Sequence, residues 1–181
     1  RLIISCALLG IPFHHTAEEL TQISYLVLEK NNLKDAYIRP LVYCAPNMKL
    51  SAPKGVSIMI TAWDWNKYFD EQKLRVCVST FQRPNPKSIK MEAKACGHYV
   101  NSIMATNEAK QRGFDEALML DMNGFVAEGS GENIFIIRNG KLYTPDLTSA
   151  LEGITRDTIL QLAAEIGLSV IEKRITRDEV Y

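Results

Sequence analysis

The sequence has 181 residues, of which 46% are apolar, and it carries 21 basic and 21 acidic side chains. A chain of this length and composition can bury a substantial core in one or two domains. The balanced charge gives no overall positive field of the kind that attracts nucleic acid or an anionic membrane, so a small neutral or zwitterionic substrate is favoured.

The cysteines and the apolar runs restrict the kinds of site and the compartment. Neither a zinc site nor a disulfide scaffold is predicted, because the four cysteines are far apart and form no CxxC or His/Cys cluster. They are Cys6, Cys44, Cys77 and Cys96. No apolar run approaches the roughly 18 residues of a membrane span, and the first residues lack a processing pattern. We therefore predict a cytoplasmic protein with reduced thiols.

The first half of the chain predicts a helix followed by strands. Thr16-Ala-Glu-Glu19 is a capping box, and apolar residues at helical spacing follow it up to a stop at Asn31-Asn32. Residues 36–44 alternate as in a strand, and Pro40 favours a place at the edge of a sheet. Further β-rich runs are residues 56–62 and 74–81.

A change of pattern in the middle of the chain indicates two domains. The two prolines of Gln82-Arg-Pro-Asn-Pro-Lys87 resist regular structure, and helices and strands follow one another after them. We predict a partial N-terminal domain at 1–62, an interdomain segment at 63–73 and a partial C-terminal domain at 74–181.

The second half predicts short strands and two helices. A helix at 97–112 ends at Gly113, and the Asn-Gly pairs at 123–124 and 139–140 indicate hairpins. Thr155 is predicted to cap the second helix, which closes at Gly167. The predicted strands are 116–121, 125–127, 134–138, 141–143 and 168–174.

Three short motifs follow one another in this second half. They are Lys94-Ala-Cys-Gly-His-Tyr99, Glu128-Gly-Ser-Gly-Glu-Asn133 and Gly153-Ile-Thr-Arg156. The last stands at the start of a helix, where free amides and the helix dipole attract an anion. In this order and context, the motifs resemble those of the fold-type IV (class IV) aminotransferases, which use pyridoxal 5'-phosphate. The residues in and around these motifs are most similar to those of the branched-chain amino acid aminotransferases.

The resemblance implies a mixed α/β (α+β) fold of two domains. The N-terminal domain would be an α/β sandwich and the C-terminal domain an α/β pseudo-barrel, with a homodimer completing each site. The chain starts at Arg1 and ends just after a capping box at residues 176–179. The family's phosphate-gripping arginine would lie before Arg1 and its Gly-Thr turn after Tyr181. We therefore expect the fold to be truncated at both ends.

The resemblance also assigns the cofactor contacts. It places the Schiff base with pyridoxal 5'-phosphate on Lys94, a hydrogen bond to the ring phenolate on Tyr99, and the partner of the pyridine nitrogen on Glu128. The remaining contacts fall on Leu151, which packs against the ring, and on Ile154 and Thr155, which donate to the phosphate.

Some residues of the motifs are interpreted as structural. His98 stands where asparagine is frequent in the family, and we interpret it as a residue without a catalytic role. Glu132 and Asn133 are interpreted as supports for the glycine turn.

A fourth motif, Tyr37-Ile-Arg-Pro-Leu41, matches one that contributes to the substrate pocket of the branched-chain enzymes. Tyr37 and Arg39 share a strand face, so both side chains can point into one cleft. The arginine suits the distal carboxylate of glutamate, and aromatic walls suit aliphatic side chains. Tyr68 is predicted as another wall.

The predicted reaction is transamination between leucine, isoleucine or valine and 2-oxoglutarate. The predicted partners are amino acid and 2-oxo acid substrates and a second copy of the chain, with no metal, nucleic acid or membrane. Three alternatives stay open. The first is a D-amino acid transaminase or an aminodeoxychorismate lyase of the same fold. The second is a non-catalytic fragment or binding module that lacks part of the phosphate site. The third is a soluble α/β domain with coincidental motifs.

Overall fold

The chain divides into two compact units. The computed structural model describes residues 1–46, 48–51, 55–65 and 73–181. We call Arg1–Gln72 the N-terminal unit and Lys73–Tyr181 the C-terminal unit. The predicted domain ranges, 1–62 and 74–181 with the segment 63–73 between them, stay predictions.

The N-terminal unit contains helices and an antiparallel pair of strands. Its elements are α1 (Leu2–Leu8), α2 (Ala17–Lys30), β1 (Tyr37–Cys44) and β2 (Val56–Trp63). The capping box at the start of α2 is confirmed. The Thr16 hydroxyl accepts from the Glu19 amide at 3.2 Å, and the Glu19 carboxylate accepts from the Thr16 amide at 2.9 Å. Asn32, just beyond the helix, has a positive φ of 54°.

Strand β1 pairs with β2 over its whole length. Tyr37 lies opposite Trp63, and Arg39 lies opposite Thr61. Within the described residues this sheet has two strands, so each is an edge strand. The position of Pro40 in an edge strand is therefore confirmed. Proline has no amide to donate, and an edge strand tolerates this because one of its sides has no neighbouring strand.

The C-terminal unit alternates short strands with two longer helices. Its strands are β3 (Val76–Val78), β4 (Glu116–Leu120), β5 (Phe125–Gly129), β6 (Ile136–Arg138), β7 (Lys141–Pro145), β8 (Ser169–Lys173) and β9 (Ile175–Thr176). Its α-helices are α3 (Tyr99–Gln111) and α4 (Ile154–Glu165), and 3₁₀ turns cover Cys96–His98 and Arg177–Val180.

The strands of this unit form two sheets. The first has the order β3-β4-β5-β9, and the second has the order β6-β7-β8. Pairs β3–β4 and β7–β8 are parallel, and the other pairs are antiparallel. The predicted mixed α/β fold class is confirmed.

Helix α3 covers one face of the four-stranded sheet, and the three-stranded sheet covers the other. On the first face, Ala105 and Ala109 of α3 pack with Ala117 and Met119 of β4. On the second face, buried residues of β4, β5 and β9 pack against residues of β6 and β7. They are Leu118, Val126 and Ile175, packed against Ile136 and Tyr143. Burial of these apolar side chains holds the layers together.

The Asn-Gly turns are as predicted. Asn139 and Gly140, between β6 and β7, both have positive φ, 52° and 68°, as a type I′ hairpin requires. Gly124, between β4 and β5, has φ 83°, and Gly113, after α3, has φ 79°. No described helix has the length and apolar content to cross a membrane.

Several predicted strands differ in extent from the observed ones, and for two of them the structure shows the cause. The strand expected at 74–81 is only β3, because Ser79 and Thr80 turn away to donate to the Glu108 carboxylate on α3. The strand expected at 168–174 ends at Lys173. The chain then changes sheets at Arg174, so that Ile175 pairs with β5.

Candidate active site in the C-terminal unit

An open pocket in the C-terminal unit brings together several of the predicted cofactor residues. They are Lys94, Tyr99, Glu128 and Leu151. Within the fully described C-terminal unit, Ile154 and Thr155 are not part of the pocket wall. Arg83 and His98 also line it.

The pocket contains a lysine–tyrosine pair. Lys94 precedes the 3₁₀ turn Cys96–His98, and Tyr99 is the first residue of α3. The turn folds the chain back, so that Nζ of Lys94 donates to Oη of Tyr99 at 2.7 Å. The lysine is exposed and the tyrosine is half-buried. An exposed primary amine, of the kind that can bind a carbonyl group, is thus held beside a phenol in the pocket wall.

Glu128 is a buried carboxylate near the end of β5. Its Oε1 pairs with Nη2 of Arg83 at 2.8 Å, and its Oε2 accepts from the Leu151 amide at 3.0 Å. Burial raises the pKa of Glu128, while Arg83, the Leu151 amide and Lys94 act in the opposite direction. A carboxylate that accepts from a backbone amide and pairs with a guanidinium can carry charge at a buried site.

Arg83 is a charged pocket residue that was not predicted from the sequence. It follows β3 and is 7% exposed, and its amide donates to the Leu120 carbonyl at 2.8 Å. Its Nη1 also donates to the Ser102 hydroxyl on α3 at 3.3 Å. Nothing in the local pattern distinguishes it from a surface arginine, because its acidic partner lies far away in the chain.

The turn after Glu128 is held by two further acids. The Gly129 amide donates to the Glu132 carbonyl at 2.7 Å, and the Gly131 amide donates to Oε2 of Glu132 at 3.1 Å. The Ser130 amide donates to Oε1 of Glu116 at 3.2 Å. Glycine leaves room for this turn, because a Cβ at 129 would lie 2.9 Å from Oε2 and 3.2 Å from the backbone carbonyl oxygen of Glu132. Glu132 therefore supports the turn.

Replacing Glu132 by glutamine is expected to stabilise the fold near pH 7. Burial, followed by the Glu116 carboxylate, raises the pKa of Glu132. A raised folded-state pKa means that this carboxyl stabilises the fold at low pH and loses that contribution as the pH rises through the folded pKa. Glu132→Gln removes the charge and keeps an acceptor for the Gly131 amide. We expect the melting temperature to rise by about 2–4 °C at pH 7.

The same Glu132→Gln gain should vanish near pH 4, where the wild-type carboxyl is protonated in both states. Thermal unfolding of both proteins at the two pH values checks this. Glu165→Gln, at an exposed position on α4, is the matched control and should change the melting temperature little. An equal gain at both pH values would contradict the electrostatic explanation.

Helix α4 begins close to the pocket wall. The predicted N-cap at Thr155 was wrong, because Gly153 is the N-cap, with φ −73° and ψ 149°, and Thr155 is the second helical residue. The Asn133 side chain donates to the Leu151 carbonyl at 3.0 Å and occupies the space where a side chain at 153 would lie. A helix start without a capping side chain leaves its first amides available to an anion.

The predicted substrate residues belong to the N-terminal unit. Tyr37 and Arg39 lie on one face of β1, and Nη2 of Arg39 donates to Oη of Tyr37 at 3.5 Å. The Arg39 guanidinium also lies 5.7 Å from the ring centre of Trp63, and Trp65 lies 5.5 Å from Tyr37. Tyr68 lies outside the described residues. We call Tyr37, Arg39, Trp63 and Trp65 the aromatic–arginine cluster.

The pocket of the C-terminal unit has the groups for amine–carbonyl chemistry. It offers an exposed primary amine, a phenol 2.7 Å from it and a buried carboxylate paired with an arginine. The described parts of the chain contain no group of three or more His, Cys, Asp and Glu side chains that could hold a metal ion. A mixed α/β fold with this donor set is typical of enzymes that hold a carbonyl cofactor on a lysine.

Comparison with known proteins agrees with this class. The family model described as "Amino-transferase class IV" matches residues 1–181. The chain belongs to the class IV aminotransferase family. A branched-chain-amino-acid aminotransferase of Pseudomonas aeruginosa is 46% identical over 187 residues, which cover 100% of this chain and 61% of that protein.

Solved structures of the family have the same fold. The branched-chain amino acid aminotransferase of Escherichia coli matches with a TM-score of 0.95 and 38% identity, over 99% of this chain and 62% of that one. The T.th. enzyme of the same name, complexed with N-(5'-phosphopyridoxyl)-L-glutamate, matches with a TM-score of 0.90 and 36% identity, over 99% and 60%. The chain thus spans about 61% of the length of the curated relatives it matches.

Proposed function

We propose that the protein catalyses transamination between branched-chain L-amino acids and 2-oxoglutarate, with pyridoxal 5'-phosphate held on Lys94. The observation that carries the proposal is the pocket that joins the Lys94–Tyr99 pair to the buried carboxylate of Glu128. The names of the relatives support the substrate class, and the T.th. complex supports a phosphopyridoxyl cofactor and glutamate as the amino donor.

The pocket residues fit the proposed cofactor. Lys94 supplies the amine for its aldehyde, Tyr99 a phenol for its ring oxygen, and Glu128 a carboxylate for its ring nitrogen. Leu151 gives an apolar wall. Ile154 and Thr155 lie outside the pocket wall, at the start of α4, and their amides are proposed as donors for the phosphate because no side chain caps this helix. When bound, the cofactor withdraws electrons from the α-carbon of the amino acid.

The residues of the chain have separate tasks in this proposal. Nζ of Lys94 takes the proton that leaves the α-carbon, and Oη of Tyr99, 2.7 Å away, holds the amine in place. Glu128 keeps a proton on the ring nitrogen because its charge is held inside the protein by Arg83. Proton transfer and charge stabilisation therefore fall on different side chains of one pocket.

The aromatic–arginine cluster is proposed as the substrate-recognition surface of the N-terminal unit. Arg39 offers a cation for the second carboxylate of glutamate, and the rings of Tyr37 and Trp63 offer apolar surface for aliphatic side chains. Tyr68 is proposed as a further wall on sequence grounds. A cytoplasmic location and a homodimer remain predictions.

An absorption spectrum of the protein, expressed from its complete reading frame, tests the function. Addition of pyridoxal 5'-phosphate is expected to give a band near the visible edge, because the cofactor becomes joined to Lys94. L-leucine should then shift the band, since it takes the place of the lysine and donates its amino group. The appearance of glutamate from 2-oxoglutarate gives an independent readout.

D-alanine and aminodeoxychorismate are the discriminating controls for this spectrum. Neither is expected to shift the band, since the relatives are branched-chain enzymes. A shift with D-alanine and none with L-leucine would show that the proposed substrate class is wrong. The absence of any band in the protein from the complete reading frame would favour a non-catalytic scaffold.

A further inference from the structure

We propose that Arg83 is a positioning residue, which holds the Glu128 carboxylate charged and in place for the ring nitrogen of the cofactor. This inference rests on the proposed function, because it concerns how the same pocket supports the α-proton step. Arg83 belongs to none of the sequence motifs and was not predicted from the sequence. Its role follows from its contacts alone.

The Arg83–Glu128 pair is buried on both sides. Nη2 of Arg83 lies 2.8 Å from Oε1 of Glu128, and their side chains are 6% and 8% exposed. The other carboxylate oxygen accepts from the Leu151 amide at 3.0 Å. Both oxygens are therefore held by donors on different segments, so the carboxylate has one orientation in the pocket.

Arg83 is itself anchored between a strand and a helix. Its amide donates a hydrogen bond to the Leu120 carbonyl, at the end of β4, and its Nη1 donates one to the Ser102 hydroxyl, on α3. Its buried Nε has no hydrogen-bond partner among the described residues. A guanidinium placed in such surroundings is costly unless it faces an anion. We therefore infer that Arg83 is buried here to stabilise the charge of Glu128 and not to fill space in the core.

Other charged groups around Glu128 do not replace this partner. Lys94 acts in the same direction as Arg83 but more weakly, and Glu132 acts in the opposite direction. His98, which also lines the pocket, has a pKa lowered by burial and then by Arg83, so its neutral form is favoured. Arg83 is thus the main cation that opposes the effect of burial on the Glu128 carboxyl.

Loss of the guanidinium should change the chemical step more than substrate binding. With Arg83 replaced, the Glu128 carboxyl becomes protonated at higher pH and can no longer hold a proton on the ring nitrogen. The electron withdrawal needed for α-proton removal is then weaker, so kcat falls while KM for L-leucine changes little. Ionisation of Glu128 at alkaline pH should restore part of the rate.

The test compares Arg83→Met, Arg83→Gln and Arg83→Lys in the protein from its complete reading frame. The ¹³C NMR titration of the Glu128 carboxyl, assigned with Glu128→Gln, is followed before cofactor is added. Arg83→Met and Arg83→Gln are expected to move this titration to higher pH by about one pH unit or more. Arg83→Lys, which keeps a cation, should leave it near its wild-type position.

The loaded enzyme gives the second readout. Arg83→Met is expected to lower kcat by about 10–100-fold at neutral pH, with a smaller deficit at alkaline pH. In the Glu128→Gln background, the same substitution should cause no comparable further loss, because its effect passes through Glu128. Arg112→Met is the matched control. Like Arg83, Arg112 pairs with a glutamate, in its case Glu108 on α3, but it lies outside the pocket wall. It should leave the Glu128 titration unchanged.

The outcomes separate this inference from the proposed function. An unmoved Glu128 titration in Arg83→Met overturns the inference, whatever the activity. If Arg83→Met fails to fold, Arg83→Gln decides in the same way, because its amide tolerates burial and carries no charge. A moved titration in a protein that lacks all transamination supports the Arg83–Glu128 coupling and overturns the proposed function. A moved titration together with a kcat loss supports both.

Discussion

Replacing Lys94 by alanine is expected to remove the absorption band of the bound cofactor and to lower transamination by at least about 10³-fold. Lys94 is proposed to bind the aldehyde and to move the α-proton, and the variant loses both tasks. Tyr99 cannot replace it, because a phenol forms no such bond with an aldehyde. The measurement is the spectrum with pyridoxal 5'-phosphate, followed by glutamate formation with L-leucine and 2-oxoglutarate.

The matched control is Lys87→Ala. Lys87 is an exposed lysine in the same unit whose amide donates to the Asn85 side chain at 2.9 Å, a contact that alanine keeps. It should retain the band and the rate. Thermal unfolding of both variants separates a chemical loss from a loss of fold. Wild-type turnover in Lys94→Ala would eliminate Lys94 as the attachment site and, with it, the proposed mechanism.

The parts of the structure that the sequence predicted depend on neighbouring residues. A capping box needs only Thr16 and Glu19, and the hairpin between β6 and β7 needs only Asn139 and Gly140. Such signals fix backbone angles over a few residues, so they survive in any tertiary context. The mixed α/β fold followed from them and from the resemblance of the ordered motifs.

The errors in the strands at 74–81 and 168–174 arise from contacts between distant segments. The strand expected at 74–81 is shortened because Glu108, on α3, accepts from Ser79 and Thr80. The last strand divides because the chain changes sheets after Lys173. Neither contact has a local signal, since each joins residues that are remote in sequence.

The pocket shows the same division. The motifs predicted Lys94, Tyr99 and Glu128, and the structure places all three in one wall. Arg83 was missed because its environment is built by α3, β4 and β5 together. Charged residues are rarely buried unless they are paired. The burial of Arg83 could therefore be predicted only by knowing its partner, which a single sequence does not give.

The start of α4 explains why the motif has glycine at position 153. Its φ and ψ, −73° and 149°, are open to any residue, so backbone strain does not require glycine there. An added Cβ would instead lie 2.2 Å from Oδ1 of Asn133. That amide cannot move freely, because its Nδ2 is bonded to the Leu151 carbonyl at 3.0 Å. The Leu151 amide in turn holds Glu128.

Gly153→Ala is therefore expected to destabilise the C-terminal unit by about 1–3 kcal/mol, because the displaced Asn133 leaves the Leu151 carbonyl without its donor. The apparent affinity for pyridoxal 5'-phosphate should fall as well, since the segment from Leu151 to α4 carries proposed cofactor contacts. Thermal unfolding with and without the cofactor measures both effects. Gly97→Ala is the matched control, because an added Cβ there meets no atom within 4 Å.

A double-mutant cycle with Asn133→Ala identifies the cause. If the clash with the Asn133 amide is responsible, Gly153→Ala should cost much less in the Asn133→Ala background, where the space is open and the Leu151 carbonyl has already lost its donor. Equal costs in both backgrounds would show that glycine serves α4 in another way. A reduced cost would show that one amide joins the glycine turn after Glu128, the Leu151 segment and the start of α4 into a single support for the pocket.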